Sequence, residues 1–203
     1  YVPKEKGIHT GTPIRAELFK GDRQKGLEIC GFDGTKPVLL QMGGSLGAVK
    51  LNDALRESLP SLLKDFDIIH LCGKGHKEES LEGTKGYRQF EYVTDELADL
   101  FAATDVIIAR AGSNSISEFL ALKKPHLLIP LSAKASRGDQ ILNAASYEKQ
   151  GFAMVLPEEE LTAETMEAKV RELYANRETY IAAMEKSTQN NGVEAVMSLI
   201  RQF

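Results

Sequence analysis

Short apolar runs alternate with helix-like segments along most of this 203-residue chain, and this alternation constrains the fold more than any other feature. Because the runs are continuously apolar, they predict strands that are buried on both faces, as in a parallel sheet covered by helices. The predicted strands span 37–42, 67–72, 87–93, 105–109, 126–130 and 152–156. The predicted helices span 51–62, 95–102, 114–122, 139–150, 162–174, 178–186 and 193–201. This order predicts a doubly wound α/β fold with a mainly parallel sheet, in which ligands bind at the carboxyl ends of the strands.

Composition argues against several classes of protein. A net charge of -4 gives no electrostatic reason to expect a nucleic-acid partner. The two cysteines, Cys30 and Cys72, lie far apart and near no histidine cluster, so the sequence predicts neither a zinc site nor a disulfide. No apolar run approaches the roughly 20 residues that span a bilayer. The chain begins at Tyr1 with an irregular polar stretch through Pro13, from which we expect a fragment of a longer protein.

The segment from Arg110 to Glu118 follows the fourth predicted strand directly and opens a helix. The first free N–H groups of a helix, with the positive end of its dipole, attract phosphate groups. The candidate phosphate-binding residues are therefore Ser113, Asn114 and Ser115, with Arg110 adding a full positive charge. Glu118 lies one turn further along, where its carboxylate can accept hydrogen bonds from the diol of a sugar.

A second glycine-rich loop, Met42–Ala48, joins the first predicted strand to its helix. Its glycines and Ser45 suit a phosphate, but they suit tight packing of strand on helix equally well, and the loop alone leaves both interpretations open. A nicotinamide dinucleotide site would need an acidic residue after the second strand, where this chain has 72–75, Cys-Gly-Lys-Gly. The Gly-Lys pair within 73–76 lacks the spacing of a Walker phosphate-binding loop, so a P-loop nucleotidase is not indicated. Residues 112–116 lack the central serine and the final glycine of a nucleophile elbow, so a serine hydrolase is not indicated either.

Two further residues belong with these loops. Arg15 stands before the first predicted strand, and Gln140 follows the loop after the fifth, so both can point into the same crevice at the carboxyl edge of the sheet. Plainer explanations suffice for Glu158–Glu160, which precede a predicted helix, and for His126, which begins an apolar strand and reads as a structural histidine.

Four segments, taken in order and spacing, resemble the MurG family, the bacterial UDP-N-acetylglucosamine:lipid I N-acetylglucosaminyltransferases of peptidoglycan synthesis. Residues 10–15 read Thr-Gly-Thr-Pro-Ile-Arg, like the family's Thr-Gly-Asn-Pro-Val/Ile-Arg segment. Residues 43–48 resemble its Gly-Gly-Ser-x-Gly-Ala loop. Residues 110–118 resemble its Arg-Ser/Ala-Gly-x-x-x-x-Ser-Glu signature, and 140–144 its Gln-x-x-Asn-Ala element.

The resemblance implies one Rossmann-like half of a two-domain glycosyltransferase of the GT-B type. Residues 1–36 would then be a linker and lead-in from an N-terminal acceptor domain, and residues 37–203 the domain that binds the nucleotide sugar. The implied donor-binding residues are Arg15, Ser45, Val93, Arg110, Ser113, Asn114, Ser115, Glu118 and Gln140.

The resemblance also implies a role for each of these positions. Arg15 and Ser45 would contact the nucleotide diphosphate, and Arg110 with the helix start at Ser113 would face the pyrophosphate and stabilise the leaving group. The backbone around Val93 would read uracil. Glu118 would accept hydrogen bonds from the ribose, and Gln140 would hold the hydroxyls of N-acetylglucosamine.

The implied reaction is the inverting transfer of N-acetylglucosamine from UDP-N-acetylglucosamine to lipid I, which forms lipid II. No cluster of metal ligands is apparent in the sequence, so we expect no metal, with Arg110 and the helix start in the role of a divalent ion, and no cofactor. The resemblance implies that the catalytic base lies outside these residues and that the parent protein is peripheral at the cytoplasmic side of the membrane. Two alternatives remain open at this point: another enzyme of similar build that uses UDP sugars, such as a glycolipid synthase or epimerase, and a non-catalytic nucleotide-binding module.

Overall fold

The computed structural model describes residues 11–44, 48–132, 138–187 and 192–201, and within them one six-stranded sheet. The strands are β1 (Val38–Met42), β2 (Asp67–Leu71), β3 (Tyr87–Phe90), β4 (Val106–Ala109), β5 (His126–Leu128) and β6 (Ala153–Val155). All neighbouring strands pair in parallel, in the order β3-β2-β1-β4-β5-β6. The strand order reverses beside β1, which is where doubly wound sheets place their ligand crevice.

Helices connect the strands and cover both faces of the sheet. They are α1 (Arg23–Cys30), α2 (Val49–Leu62), α3 (Leu97–Ala103), α4 (Ser113–Ala121), α5 (Asp139–Lys149), α6 (Ala163–Ala175), α7 (Arg177–Glu185) and α8 (Gly192–Ile200). The predicted fold class is confirmed. The third strand differs from its prediction, because it ends at Phe90 and leaves 91–93 as a loop. Within the described ranges, no helix has both the length and the hydropathy to cross a membrane.

The alternation of side chains along β1 shows why both faces are apolar. Leu39 packs with residues of α2 and α6, whereas its neighbour Leu40 packs on the opposite face with residues of α1, α3 and α4. Both side chains are fully buried. A strand covered on each side by helices therefore needs a continuous apolar run, which is the pattern that identified it in the sequence.

The predicted lead-in contains a helix that the sequence patterns did not indicate. Helix α1 begins after Asp22, whose carboxylate accepts a hydrogen bond of 3.0 Å from the Lys25 amide, and it ends at Gly31 with φ of 72°. Leu27 and Cys30 are buried against the core on the α3 side of the sheet. Part of the segment assigned to the lead-in thus packs in the same core as the sheet, while the boundary at residue 37 remains a prediction.

Gly26 allows α1 and α3 to approach closely. A Cβ atom at this position would lie 2.2 Å from the carbonyl oxygen of Asp99 on α3, so backbone would have to move. We expect Gly26→Ala to lower the free energy of unfolding by about 1–3 kcal/mol, the usual cost of overpacking. Urea denaturation measures this change. Lys25→Ala, at an exposed position of the same helix, is the matched control, and equal stability of the two variants would contradict the close packing.

Among the described residues, His70 on β2 and His126 on β5 are completely buried. His126 donates from Nδ1 to the carbonyl oxygen of Lys124 over 2.7 Å, while its Nε2 has no hydrogen-bond partner among the described residues. Its ring packs between those of Phe119 and Tyr147. Burial lowers the pKa of His126 to about 4, although the bond to Lys124 opposes the shift, and burial lowers the pKa of His70 to about 3. The structural role predicted for His126 agrees with this placement.

These histidines make stability depend on pH. Between pH 6.5 and 4 they bind protons in the unfolded chain but stay neutral in the folded chain, so the free energy of unfolding falls as the pH falls. As the pH falls from 7 to 5, each of these histidines should lower the free energy of unfolding by about 2 kcal/mol. We expect His126→Leu to lose less stability than the parent over this interval, measured by urea denaturation at both pH values. His76→Leu is the control, and identical pH dependence of His126→Leu and the parent would contradict the assignment.

Candidate functional site

A cavity of about 700 Å³ opens at the carboxyl edge of the sheet, beyond β1, β2 and β3 and beside the start of α4. Its volume is that of a typical small-molecule site. The lining residues are Arg15, Glu17, Leu18, Met42, Gly44, Leu71, Glu91, Tyr92, Val93, Thr94, Asp95, Leu97, Ala98, Asn114, Ser115 and Glu118. Five of the nine predicted donor-binding residues lie in this one cavity: Arg15, Val93, Asn114, Ser115 and Glu118.

The sheet explains why these residues meet. β1 and β2 end at Met42 and Leu71, which line the cavity, and the loop that carries Val93 follows the end of β3. Because the strands are parallel, the segments that follow them reach the same edge. Gly44 adopts φ of 96°, a left-handed conformation that favours glycine, and it brings the β1–α2 loop to the cavity wall.

Helix α4 presents its first turn to the cavity. The residue before the helix is Gly112, which has extended backbone and no side chain to cap the first N–H groups. Asn114 and Ser115 follow within the first turn and line the cavity. An uncapped helix start with its positive dipole end is an anion-binding feature, as the sequence predicted for this segment.

Arg15 and Glu118 form an ion pair in the wall of the cavity. The Nε and one terminal nitrogen of Arg15 donate to the same oxygen of Glu118, over 3.2 and 3.0 Å. The Glu118 side chain is 14% exposed and that of Arg15 56%. A second contact, from the Ser117 hydroxyl to that of Thr12 over 3.2 Å, also joins the 11–15 segment to α4. The two candidate residues, 103 positions apart in sequence, are therefore held together.

Charge is unevenly distributed around the cavity. Among the described residues that line it are the carboxylates of Glu17, Glu91, Asp95 and Glu118 and one guanidinium, that of Arg15. The Glu91 carboxylate also accepts a hydrogen bond of 2.7 Å from the amide of Gly75, so the turn at 73–76 lies against the rim. An acidic wall with apolar patches suits an uncharged base and sugar better than a phosphate, whereas the start of α4 suits the phosphate.

Arg110 is not among the cavity-lining residues, and its placement differs from the prediction. Its guanidinium pairs with the Glu158 carboxylate and donates to the carbonyl oxygen of Ile129 over 3.0 Å. The side chains of Arg110 and Glu158 are only 10% and 12% exposed. Arg110 thus meets a carboxylate of the protein where we expected it to face a ligand, and its role towards a pyrophosphate remains a prediction.

The sequence of 158–160 indicates only acidic residues that precede a helix, and it does not predict that Glu158 pairs with Arg110. Burial by itself would raise the pKa of Glu158, but hydrogen bonds from Arg110 and from the Ser132 amide, with the charges of Arg110 and Lys50, lower it below its ordinary value. Glu158 follows β6 at the carboxyl edge of the sheet, and that position was the available signal.

The remaining predicted site residues lie apart from the cavity or outside the described ranges. Gln140 accepts a hydrogen bond of 3.1 Å from the amide of Leu131 through its side-chain oxygen, and it does not line the cavity. Ser113 begins α4 but is also absent from the lining. Ser45 lies outside the residues that the structure describes. Among described residues, no group of three or more His, Cys, Asp or Glu side chains could hold a metal ion.

Comparison with known sequences identifies the family. Residues 38–200 match the model of the glycosyltransferase family 28 C-terminal domain. A relative from Lachnospira eligens is 55% identical over 201 residues, which cover 99% of this chain and 57% of the relative. It is named UDP-N-acetylglucosamine--N-acetylmuramyl-(pentapeptide) pyrophosphoryl-undecaprenol N-acetylglucosamine transferase. A relative of the same name from Clostridium tetani is 54% identical over 203 residues, covering 100% of this chain and 57% of that protein. The chain spans little more than half the length of these relatives.

Solved structures agree with the sequence comparison. The crystal structure of Acinetobacter baumannii MurG superposes with a TM-score of 0.75 at 25% identity, covering 100% of this chain and 58% of that one. The glycosyltransferase of kitacinnamycin has a TM-score of 0.75 at 21% identity, covering 99% and 50% of the two chains, and its likeness bears on the fold alone. The predicted GT-B architecture and the resemblance to MurG proteins are confirmed. The chain belongs to glycosyltransferase family 28, as a C-terminal domain of that family.

Proposed function

We propose that this chain is the donor-binding domain of an inverting glycosyltransferase that transfers N-acetylglucosamine from UDP-N-acetylglucosamine to lipid I. One observation carries the proposal: the cavity at the carboxyl edge joins Glu118, the loop at Val93 and the start of α4 in one place. The names of the relatives from Lachnospira eligens and Clostridium tetani support the choice of donor and acceptor.

The uridine fits the apolar part of the cavity. Leu18, Leu71 and Leu97 provide nonpolar surface for a planar base. The backbone of the loop at Val93 offers amide and carbonyl groups of the kind that distinguish one base from another. A base held by backbone needs little from side chains, which explains why no sequence motif marks this part of the site.

The sugar and phosphates of the nucleotide extend from the base towards α4. Glu118 accepts hydrogen bonds from the ribose hydroxyls, and its pairing with Arg15 fixes the carboxylate before the ligand arrives. The first turn of α4, at Asn114 and Ser115, binds the diphosphate. Its fixed N–H groups and dipole stabilise the charge that grows on UDP as the acceptor hydroxyl attacks the anomeric carbon.

We further propose that the acceptor and the catalytic base belong to a domain outside residues 1–203, and that the parent enzyme acts as a peripheral protein on the cytoplasmic side of the bacterial membrane. The 203-residue chain alone should then bind the donor without transferring the sugar. The reaction as proposed needs no metal or cofactor, since the helix start and cationic side chains neutralise the leaving group.

Glu118→Gln should weaken the binding of UDP by about tenfold or more. The substitution preserves the size of the side chain but removes the charge that both Arg15 and the ribose hydroxyls recognise, and hydrogen bonds to charged groups contribute about 1.5–3 kcal/mol. Isothermal titration calorimetry with UDP measures the loss. Glu178→Gln, at a position on α7 that is 77% exposed, is the matched control. Equal affinity of Glu118→Gln and the parent would exclude Glu118 from the ribose site.

A panel of ligands separates the proposed function from its alternatives. We expect UDP-N-acetylglucosamine to bind more tightly than UDP-glucose or UDP-galactose, and NAD not to bind, because 72–75 offers no acidic residue to its ribose. Isothermal titration calorimetry with each ligand gives all four affinities independently. Preference for UDP-glucose or UDP-galactose would favour another UDP-sugar enzyme, and binding of NAD without UDP would favour a non-catalytic nucleotide-binding module.

A further inference from the structure

Glu158 links four segments at the carboxyl edge of the sheet. Its carboxylate pairs with Arg110 after β4 and accepts a hydrogen bond of 3.2 Å from the amide of Ser132, which follows β5. Its main-chain carbonyl accepts a hydrogen bond from the ammonium group of Lys50 in the first turn of α2. Glu158 itself lies in a short 3-10 helix, Glu158–Glu160, after β6. One residue thus connects the segments that follow β4, β5 and β6 with the start of α2.

The pair between Glu158 and Arg110 is nearly buried, and this makes it sensitive to substitution. Arg110 also donates to the carbonyl oxygen of Ile129, while its buried Nε has no hydrogen-bond partner within the part of the chain that the structure describes. If the carboxylate were removed, the guanidinium would remain in a poorly solvated place with one strong partner lost. Breaking one member of such a pair costs far more than the pair contributes when intact.

The charges around Glu158 complement those of the cavity. Arg110 and Lys50 bring two positive charges to the Glu158 carboxylate, while the neighbouring carboxylates of Glu159 and Glu160 are exposed. Helix α4 begins three residues after Arg110 and Lys50 lies in the first turn of α2, so the positive dipole ends of both helices are near these cations. The described residues that line the cavity, in contrast, include four carboxylates and the guanidinium of Arg15. The helix starts and cations beside Glu158 therefore suit the charged end of a nucleoside diphosphate better than this lining does.

We propose that Glu158 is a positioning residue for the diphosphate of the donor, acting through Arg110 and the Ser132 amide without touching the ligand. It fixes a positive charge three positions before α4 and fixes the loop that follows β5. This inference rests on the proposed function, because it assumes that a nucleoside diphosphate occupies the site. It assigns Arg110 a fixed place in the protein, so that the electrostatic effect of Arg110 on the ligand depends on Glu158.

Calorimetry with UDP and with uridine tests the proposal on the 203-residue chain. Glu158→Ala should lower the affinity for UDP by about tenfold and leave the affinity for uridine unchanged, since only UDP carries the diphosphate. Glu158→Gln, which keeps one acceptor oxygen, should lose less. In an Arg110→Ala background, Glu158→Ala should cause a smaller further loss, because the effect that passes through Arg110 is already gone and the hydrogen bond from the Ser132 amide remains to be removed. Glu159→Gln, at an exposed neighbour in the same 3-10 helix, should behave like the parent.

A second measurement requires no ligand. Hydrogen exchange of the Ser132 amide should accelerate in Glu158→Ala but not in Glu159→Gln, because the Glu158 carboxylate accepts a hydrogen bond from this amide. Thermal unfolding shows whether Glu158→Ala folds. If it does not, the UDP and uridine affinities of Glu158→Gln test the proposal in its place. If the parent binds UDP and both Glu158 variants bind it with the same affinity, this inference alone is overturned. It is also overturned if the Glu158 variants lose affinity for uridine and for UDP to the same extent. Failure of the parent to bind UDP would overturn the proposed function as well.

Discussion

All the strands of the described sheet run in the same direction, and the site depends on this more than on any single residue. Parallel strands bring every segment that follows a strand to one edge, so residues far apart in sequence become neighbours there. The arrangement requires helices on both faces, and hence strands that are apolar throughout. The parallel arrangement therefore buries apolar side chains along the strands and also brings the polar residues of the cavity together at one edge.

A buried polar network maintains this edge close to the cavity. His70 on β2 accepts a hydrogen bond at Nδ1 from the Tyr87 hydroxyl over 2.6 Å and donates from Nε2 to the side-chain oxygen of Asn52 over 2.9 Å. Asn52 on α2 donates in turn to the carbonyl oxygen of Cys72 over 2.8 Å. This assignment of protons needs a neutral imidazole, in agreement with the pKa of His70 at about 3. The network fixes the first turns of α2 relative to the end of β2.

The sequence predicted the fold well because burial on both faces leaves a strong signal in a continuous apolar run. It did not predict α1, whose apolar positions are few and whose place depends on Gly26 and on the carbonyl of Asp99 on α3. The convergence of Arg15, Val93 and Glu118 was predictable from topology and from the resemblance to known enzymes. The partners of Arg110 were not, since a cation after a strand can meet either a ligand or a carboxylate from a distant segment, and only the folded chain shows that Glu158 is there.

The unequal distribution of charge along the site has a consequence for orientation. A molecule with a neutral head and an anionic tail has lower energy in one direction than in the reverse, and the field acts on it before any contact forms. The tail then leads away from the exposed carboxylates of Glu17, Glu91 and Asp95 and towards the first turn of α4. In a donor of this shape, the group attached beyond the tail lies on the far side of that turn, so a second reactant can reach it without passing the base.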